Sequence, residues 1–196
     1  MKKIICLLGI PGSGKSTLGK SIYENLEYPF YEEKFDQISS ISKERESSAS
    51  NFEKCIGFLN LRYHQMEKAQ DSISELIFVD TCFEMTEIYS KFLLKEEECP
   101  EFKNTCSIIN TFIPKPDLYL NLTGDIEVIL KRAKERNLGL SLENTYLNKE
   151  VLQTTADNIK NFLMNKNFLD VDITQVDLRD NQEMTSLINK IKDKLV

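Results

Sequence analysis

The sequence predicts an α/β protein, a three-layer α/β/α arrangement with helices on both faces of a five-stranded parallel sheet. Short apolar runs rich in β-branched residues recur along the chain, and stretches of helical spacing separate them. The first run also ends on a glycine-rich turn, "GIPGSGKS" (Gly9–Ser16), that opens a helix. Strands buried on both faces read as continuous apolar runs, not alternating ones. Strand alternating with helix gives parallel neighbours joined by right-handed crossovers.

In chain order, "KIICLLG" (Lys3–Gly9) is the first strand and Lys15–Leu26 the first helix. "YPFYEE" (Tyr28–Glu33) is a weaker strand, and the polar, serine-rich Ser39–Ser50 reads as a surface loop. A long helix then covers Ser50–Gln70, followed by the apolar strand "ELIFVD" (Glu75–Asp80) and a helix over Glu84–Leu94. "DLYLNLT" (Asp117–Thr123) is the next strand and Ile126–Arg136 a basic helix, leading into a glycine-containing loop, Arg136–Asn144. A helix over Leu147–Met164, a strand over Phe168–Val176 and a helix over Glu183–Leu195 complete the pattern. In open parallel sheets, ligands bind beyond the carboxyl ends of the strands. That rule brings Gly9–Ser16, Glu32, Glu33, Asp80 and Thr123 to one rim.

At 196 residues, residues 1–196 are expected to form a single domain, and 41% hydrophobic residues suffice for a core. The net charge of −6, without a run of five basic residues, argues against a nucleic-acid face. An anionic ligand must then be captured by a focused site. Five cysteines without a CxxC pair, beside one histidine, point away from disulfides and zinc and toward a reducing compartment. The apolar part of "MKKIICLLG" is shorter than a signal-peptide core, and no stretch reaches the roughly 20 apolar residues of a membrane span. A cytoplasmic protein without membrane or nucleic-acid partners is the expectation.

The opening turn has the spacing G-x-x-x-x-G-K-S, met by Gly9, Gly14, Lys15 and Ser16, between a strand and a helix. Glycines let several backbone N–H groups converge on one anion, and the positive helix end adds to that field. Gly9, Pro11, Gly12, Ser13, Gly14, Lys15, Ser16 and Thr17 are therefore expected to hold the phosphates of ATP, with Lys15 reaching the β- and γ-phosphates and Ser16 meeting Mg²⁺.

Phosphoryl transfer further needs a base or orienting group for the acceptor hydroxyl, and positive charge on the migrating group. Asp80, ending an apolar strand, is placed for the metal; alternatively it caps the helix beginning near Phe83. Glu32 or Glu33 could accept the hydroxyl proton. Arg132 and Arg136 lie four apart on one helix face before the glycine loop, as a lid delivering arginines would require. Arg62, among Phe58, Leu59 and Leu61, is either a surface residue with a buried stem or a ligand clamp; His64 reads as structural.

Together these residues resemble the bacterial deoxyadenosine/deoxyguanosine kinases, within the deoxynucleoside kinases and near the thymidylate kinases. The resemblance covers nearly the whole chain. "FYEEKF" resembles the family's Tyr-Glu-Pro, which makes Glu32 the general base. "FEKCIGFLNLRYHQMEKA" is similar to F-x-x-Q-I-x-F-L-N-x-R-F, so Arg62 falls on the helix arginine as substrate clamp. "FVDTCFEM" falls on Asp-Arg-Ser, with Asp80 at the acidic position. "PDLYLNLTGDIEVILKRAKER" resembles the segment entering the lid, so Arg132 and Arg136 match lid arginines. The resemblance implies a P-loop kinase-like fold with a short lid over about 132–144, and a possible homodimer.

Four departures accompany it. Cys55 stands where the family has its base-reading glutamine, Thr81 where it has the arginine of Asp-Arg-Ser, and Glu33 where it has proline; the third lid arginine has no clear match. Cys55, Glu33 and Arg62 are accordingly expected to face the substrate. The function expected is a Mg-ATP-dependent transfer of the γ-phosphate to an acceptor hydroxyl, foremost of a deoxynucleoside. Lys15, Glu32, Arg132 and Arg136 would be catalytic, and Ser16 and Asp80 would hold the metal. The alternatives are a nucleoside monophosphate kinase or a kinase of another small molecule, and an ATP-binding regulatory module without catalysis.

Overall fold

The computed structural model describes residues 1–33, 50–135, 148–174, 176 and 180–196. Among them, strands β1 (Lys3–Leu8), β2 (Phe30–Tyr31), β3 (Leu76–Asp80), β4 (Leu118–Thr123) and β5 (Phe168–Asp172) form one parallel sheet. Its order is β2-β3-β1-β4-β5. The helices are α1 (Lys15–Leu26), α2 (Asn51–Asp71), α3 (Glu84–Ser90), α4 (Cys99–Asn110), α5 (Ile126–Glu135), α6 (Lys149–Leu163) and α7 (Asn181–Lys194). The five-stranded parallel sheet read from the sequence is the one observed, with helices on both sides.

β1 is central because it is buried along nearly its whole length, as "KIICLL" requires. The two-residue repeat of a strand is plain in β3, where successive side chains enter different cores. Leu76 and Phe78 pack with Leu18 and Ile22 of α1 and Met184 and Ile188 of α7. Ile77 and Val79 pack instead with Leu59 and Met66 of α2 and Phe102 of α4. The sheet therefore separates two apolar layers, and α1 and α2 flank the β2–β3 edge from opposite faces.

Element boundaries follow local hydrogen bonding. α2 starts on a reciprocal capping box: the Ser50 hydroxyl accepts from the Glu53 N–H (3.2 Å), and the Glu53 carboxylate accepts from the Ser50 N–H (2.7 Å). Asp125, Asn148 and Asp180 cap α5, α6 and α7 through their side chains. β5 stops at Asp172, earlier than the expected Val176, because that carboxylate accepts from the Thr174 N–H (2.9 Å) and hydroxyl (2.6 Å), turning the chain. β2 is confined to two residues. α3 ends at Ser90 and not at Leu94; Leu93 and Leu94 both donate back to the Ser90 carbonyl in a tight turn. α4 falls where the sequence analysis assigns no element. Its Pro100 sits in the first turn, where a missing N–H costs nothing, and Phe102 and Cys106 provide a buried stripe one turn apart.

Candidate active site

The loop between β1 and α1 is shaped by glycines. Gly14 is the N-cap of α1 in the left-handed conformation (φ 86°), with no side chain capping the helix. A Cβ built on Gly14 would meet nothing within 4 Å, so the space beside the helix start is open. A Cβ on Gly12 (φ 84°) would lie 2.7 Å from the Ala133 methyl and 2.8 Å from the Ile129 carbonyl, so the loop packs directly on α5. Lys15 Nζ donates to the Gly9 (2.9 Å) and Ile10 (3.2 Å) carbonyls, folding its ammonium back across the loop. An uncapped helix start, an ammonium and a glycine cradle suit a polyphosphate. Ser13 is buried, and its hydroxyl has no partner among the described residues.

Asp80 closes this loop from the end of β3. Its Oδ2 accepts from the Ser16 hydroxyl (2.7 Å) and its Oδ1 from the Thr81 hydroxyl (3.2 Å). The alternative of Asp80 capping α3 is excluded, since α3 has Phe83 at its N-cap and no side-chain cap. A hydroxyl and a carboxylate beside a phosphate cradle are the oxygen donors that Mg²⁺ takes from P-loop proteins, phosphates and water completing its shell. Thr81 is a β-branched residue in the left-handed region (φ 68°), a conformation that costs free energy. It is held there by its N–H donating to the Leu7 carbonyl (3.0 Å), which continues the β1–β3 ladder past Asp80.

Beyond Asp80 a cavity of about 180 Å³ opens between the loop, the end of β2, α2 and α3. Pro11, Gly12, Lys15 and Ser16 form its phosphate-loop wall. Glu32, Glu33, Cys55, Phe58, Arg62, Thr81, Thr86, Tyr89 and Leu93 line the rest. Its polar centre is a buried ion pair, Arg62 Nε to Glu33 Oε1 at 2.7 Å, both side chains 4% exposed. Arg62 also donates from Nη1 to the Thr86 hydroxyl (2.7 Å), and its guanidinium lies 5.4 Å from the Phe58 ring centre and 6.0 Å from that of Tyr89. Burial pushes the Glu33 carboxyl above the usual carboxylate range; Arg62 opposes the shift and the Asp80 charge adds to it. Arg62 is therefore a buried cavity residue and not a surface residue. Gln65, one turn further along α2, donates to the carbonyls of Tyr31 (3.3 Å) and Asp80 (3.4 Å), tying the ends of β2 and β3 together.

The two acids at the end of β2 have different surroundings. Glu33 is buried against Arg62, whereas Glu32 pairs with the half-exposed Lys20 of α1 at 2.7 Å. Cys55 forms part of the cavity wall, and burial pushes its thiol up to about 12, so it is a neutral group there. Thr17 is exposed in the first turn of α1 and does not line the cavity. Thr123 lies on the rim but lines a second cavity of about 390 Å³ with Gly9 and Ile10. Arg132 is exposed on α5; Arg136 and most of the expected lid, about 132–144, lie outside the described residues. Sequence reasoning missed Phe58, Thr86, Tyr89 and Leu93 as lining residues. Their spacing was a usable signal: Cys55, Phe58 and Arg62 on α2 run i, i+3, i+7, and Thr86 and Tyr89 on α3 run i, i+3, each one face of a helix, with Leu93 following in the turn after α3.

Residues 4–157 match a family model described as an AAA domain. A curated relative, the deoxyadenosine/deoxycytidine kinase of Bacillus subtilis, is 24% identical over 163 residues, covering 79% of this chain and 75% of the relative. The structure of deoxyadenosine kinase from M. mycoides with bound dATP superposes with a TM-score of 0.76 at 18% identity, covering 96% of this chain and 99% of that one. The same kinase with dCMP and dCDP products gives 0.74 at 20% identity, covering 97% and 99%. NadR in complex with NAD and AMP-PNP gives 0.67 at 15% identity, covering 96% of this chain and 49% of NadR. The fold is thus that of the P-loop deoxynucleoside kinases, and the resemblance read from the motifs is borne out. No helix among the described residues is long and apolar enough to cross a membrane.

Proposed function

We infer from its place in the AAA-domain family, to which this chain belongs, and from its likeness to deoxynucleoside kinases that it is an ATP-dependent nucleoside kinase. Its reaction is transfer of the γ-phosphate of ATP to an acceptor hydroxyl, with a deoxynucleoside as the leading acceptor. The observation that carries this reading is continuity: one cavity runs from Lys15 and Ser16 of the phosphate loop to the Arg62–Glu33 pair. Donor and acceptor then meet in line, the arrangement phosphoryl transfer depends on.

Gly12, Gly14 and Lys15 would hold the triphosphate; Ser16 and Asp80 would hold Mg²⁺, which supplies positive charge to the β- and γ-phosphates when bound. Lys15 lies where it can swing from the Gly9 and Ile10 carbonyls to a phosphate oxygen. Arg132, at the lid end of α5, together with Arg136, would add charge as the lid closes. One acid at the end of β2 would take the hydroxyl proton, and Arg62 would fix the acceptor. The cavity keeps its substrate enclosed between Phe58, Tyr89 and Leu93, which favours a flat, weakly polar body.

A second reading, a kinase of a different small hydroxyl compound, is favoured by Cys55. A neutral thiol in that wall cannot make the paired amide contact that reads a base edge. The test is coupled ATP turnover with the purified chain over deoxynucleosides, ribonucleosides, nucleoside monophosphates and non-nucleoside alcohols. Highest kcat/KM on a deoxynucleoside is the expected result. A best acceptor from another class rejects the deoxynucleoside, and no turnover with any of them rejects the kinase.

A further inference from the structure

We propose that Glu33, and not Glu32, is the carboxylate that receives the acceptor's hydroxyl proton, because β2 aims Glu33 into the cavity beside Lys15, Arg62 and Asp80 while it aims Glu32 at α1. This rests on the kinase reading above and sets aside the base that the motif alignment selects.

The alternation of Phe30 and Tyr31 in β2, continued by the ion pairs of the two acids that follow it, carries the argument. Phe30 faces α1: a Cβ built on Gly19 would come within 2.2 Å of its ring. Tyr31 faces the other way and packs with the core under α2. Glu32 returns to the α1 side and is tied through Oε1 to Lys20, whose side chain is 52% exposed. Glu33 returns to the α2 side, where only 6% of the residue is exposed. Both acids touch the cavity, but Glu33 is the one buried in it, close to the charges of Arg62, Asp80 and Lys15.

The hydrogen bonding of Glu33 suits a proton acceptor. Its Oε1 accepts from Arg62 Nε at 2.7 Å, and no other hydrogen bond to the carboxylate is found among the described residues. Arg62 is itself held by the Thr86 hydroxyl, so the carboxylate is fixed by one oxygen and presents the other. A base needs this: a rigid bearing and one available lone pair within reach of the hydroxyl.

In the step, the acceptor oxygen forms a bond to the γ-phosphorus. The bond from that phosphorus to the β–γ bridging oxygen breaks, its electron pair leaving on ADP. The hydroxyl proton passes to Glu33 Oε2 and is lost to water after the product departs. Glu32 takes no part in this transfer; its exposed pairing with Lys20 braces the end of β2 against α1.

The test compares Glu33→Gln and Glu32→Gln in the full chain, using ATP with the best acceptor from the turnover screen, and titrates each with a non-hydrolysable ATP analogue. Glu33→Gln is expected to lower kcat by about 10²–10⁴-fold, the usual worth of a general base, with analogue binding unchanged. Glu32→Gln is expected to lower kcat at least about 10-fold less than Glu33→Gln does. Loss of activity in Glu32→Gln with activity kept in Glu33→Gln overturns the proposal, as does equal loss in both. Should Glu33→Gln not fold, because it leaves Arg62 buried without its counter-charge, Glu33→Asp keeps the charge and withdraws it by one methylene. A folded Glu33→Asp with reduced kcat and unchanged KM for ATP supports the assignment, and full activity overturns it. A parent protein that phosphorylates nothing in the screen fails the kinase reading itself, which is a separate result from any ranking of the two variants.

Discussion

The two ends of the cavity are built in opposite ways. The phosphate end is contiguous in sequence and made largely of backbone: a left-handed Gly14, a Gly12 pressed onto α5, and a helix start without a side-chain cap. The far end, where the acceptor is proposed to bind, is made of side chains from four separate places, Glu33 after β2, Arg62 on α2, Thr81 after β3, and Thr86 and Tyr89 on α3. Backbone sites tolerate drift in the surrounding sequence, whereas a side-chain site changes whenever one contributor changes. Consistent with that, the departures at Cys55, Thr81 and Glu33 from the kinase motifs all fall at the acceptor end, while the G-x-x-x-x-G-K-S spacing is intact.

The largest effect that would separate the two ends comes from Arg62→Met. It leaves Glu33 charged and buried without its partner, and breaking such a pair by removing one member costs about 3–5 kcal/mol. Chemical denaturation followed by circular dichroism should show that loss. Acceptor turnover should fall with it, while any folded fraction should still bind the ATP analogue, because no phosphate-loop contact runs through Arg62. Equal loss of analogue binding in folded protein would show the two ends to be one unit.

A smaller effect is expected where the ends join, at Thr81. Thr81→Gly relieves a β-branched residue held at φ 68° but removes the hydroxyl that steadies Asp80 Oδ1. Relief of the backbone is worth about 1 kcal/mol, so the melting temperature should rise by a few degrees. The Mn²⁺ affinity of the nucleotide-loaded protein, read by paramagnetic relaxation, should fall. A melting temperature that drops instead would show the left-handed residue to be unstrained.

How much of this was legible in the sequence follows the same division. β1, β3 and β4 were found because buried parallel strands are apolar throughout, β5 as a weaker run, and the loop because its chemistry is written in consecutive residues. β2 was placed but overextended, since two paired residues carry little periodicity. Asp80 was found, but that it bonds to Ser16 and does not cap α3 needed the structure. The residues alone left Glu32 and Glu33 open and the family motif selected Glu32; in the structure each finds a cation, Lys20 on α1 for Glu32 and Arg62 on α2 for Glu33. The strand repeat through Phe30 and Tyr31 separates them only once the faces of the sheet are known. α4 escaped because a proline near its start reads equally as a breaker.

The most direct measurement is calorimetric titration of Mg-ATP analogue into the parent protein, Lys15→Ala and Glu33→Gln. If the nucleotide is held by the loop and the acceptor by the far wall, the parent and Glu33→Gln bind alike. Lys15→Ala should then bind at least about 10-fold more weakly, the loss of roughly 1.4 kcal/mol or more for one charged contact. Equal binding by the parent and Lys15→Ala, or no heat from the parent at all, would contradict the assignment of Gly9–Ser16 as the nucleotide site.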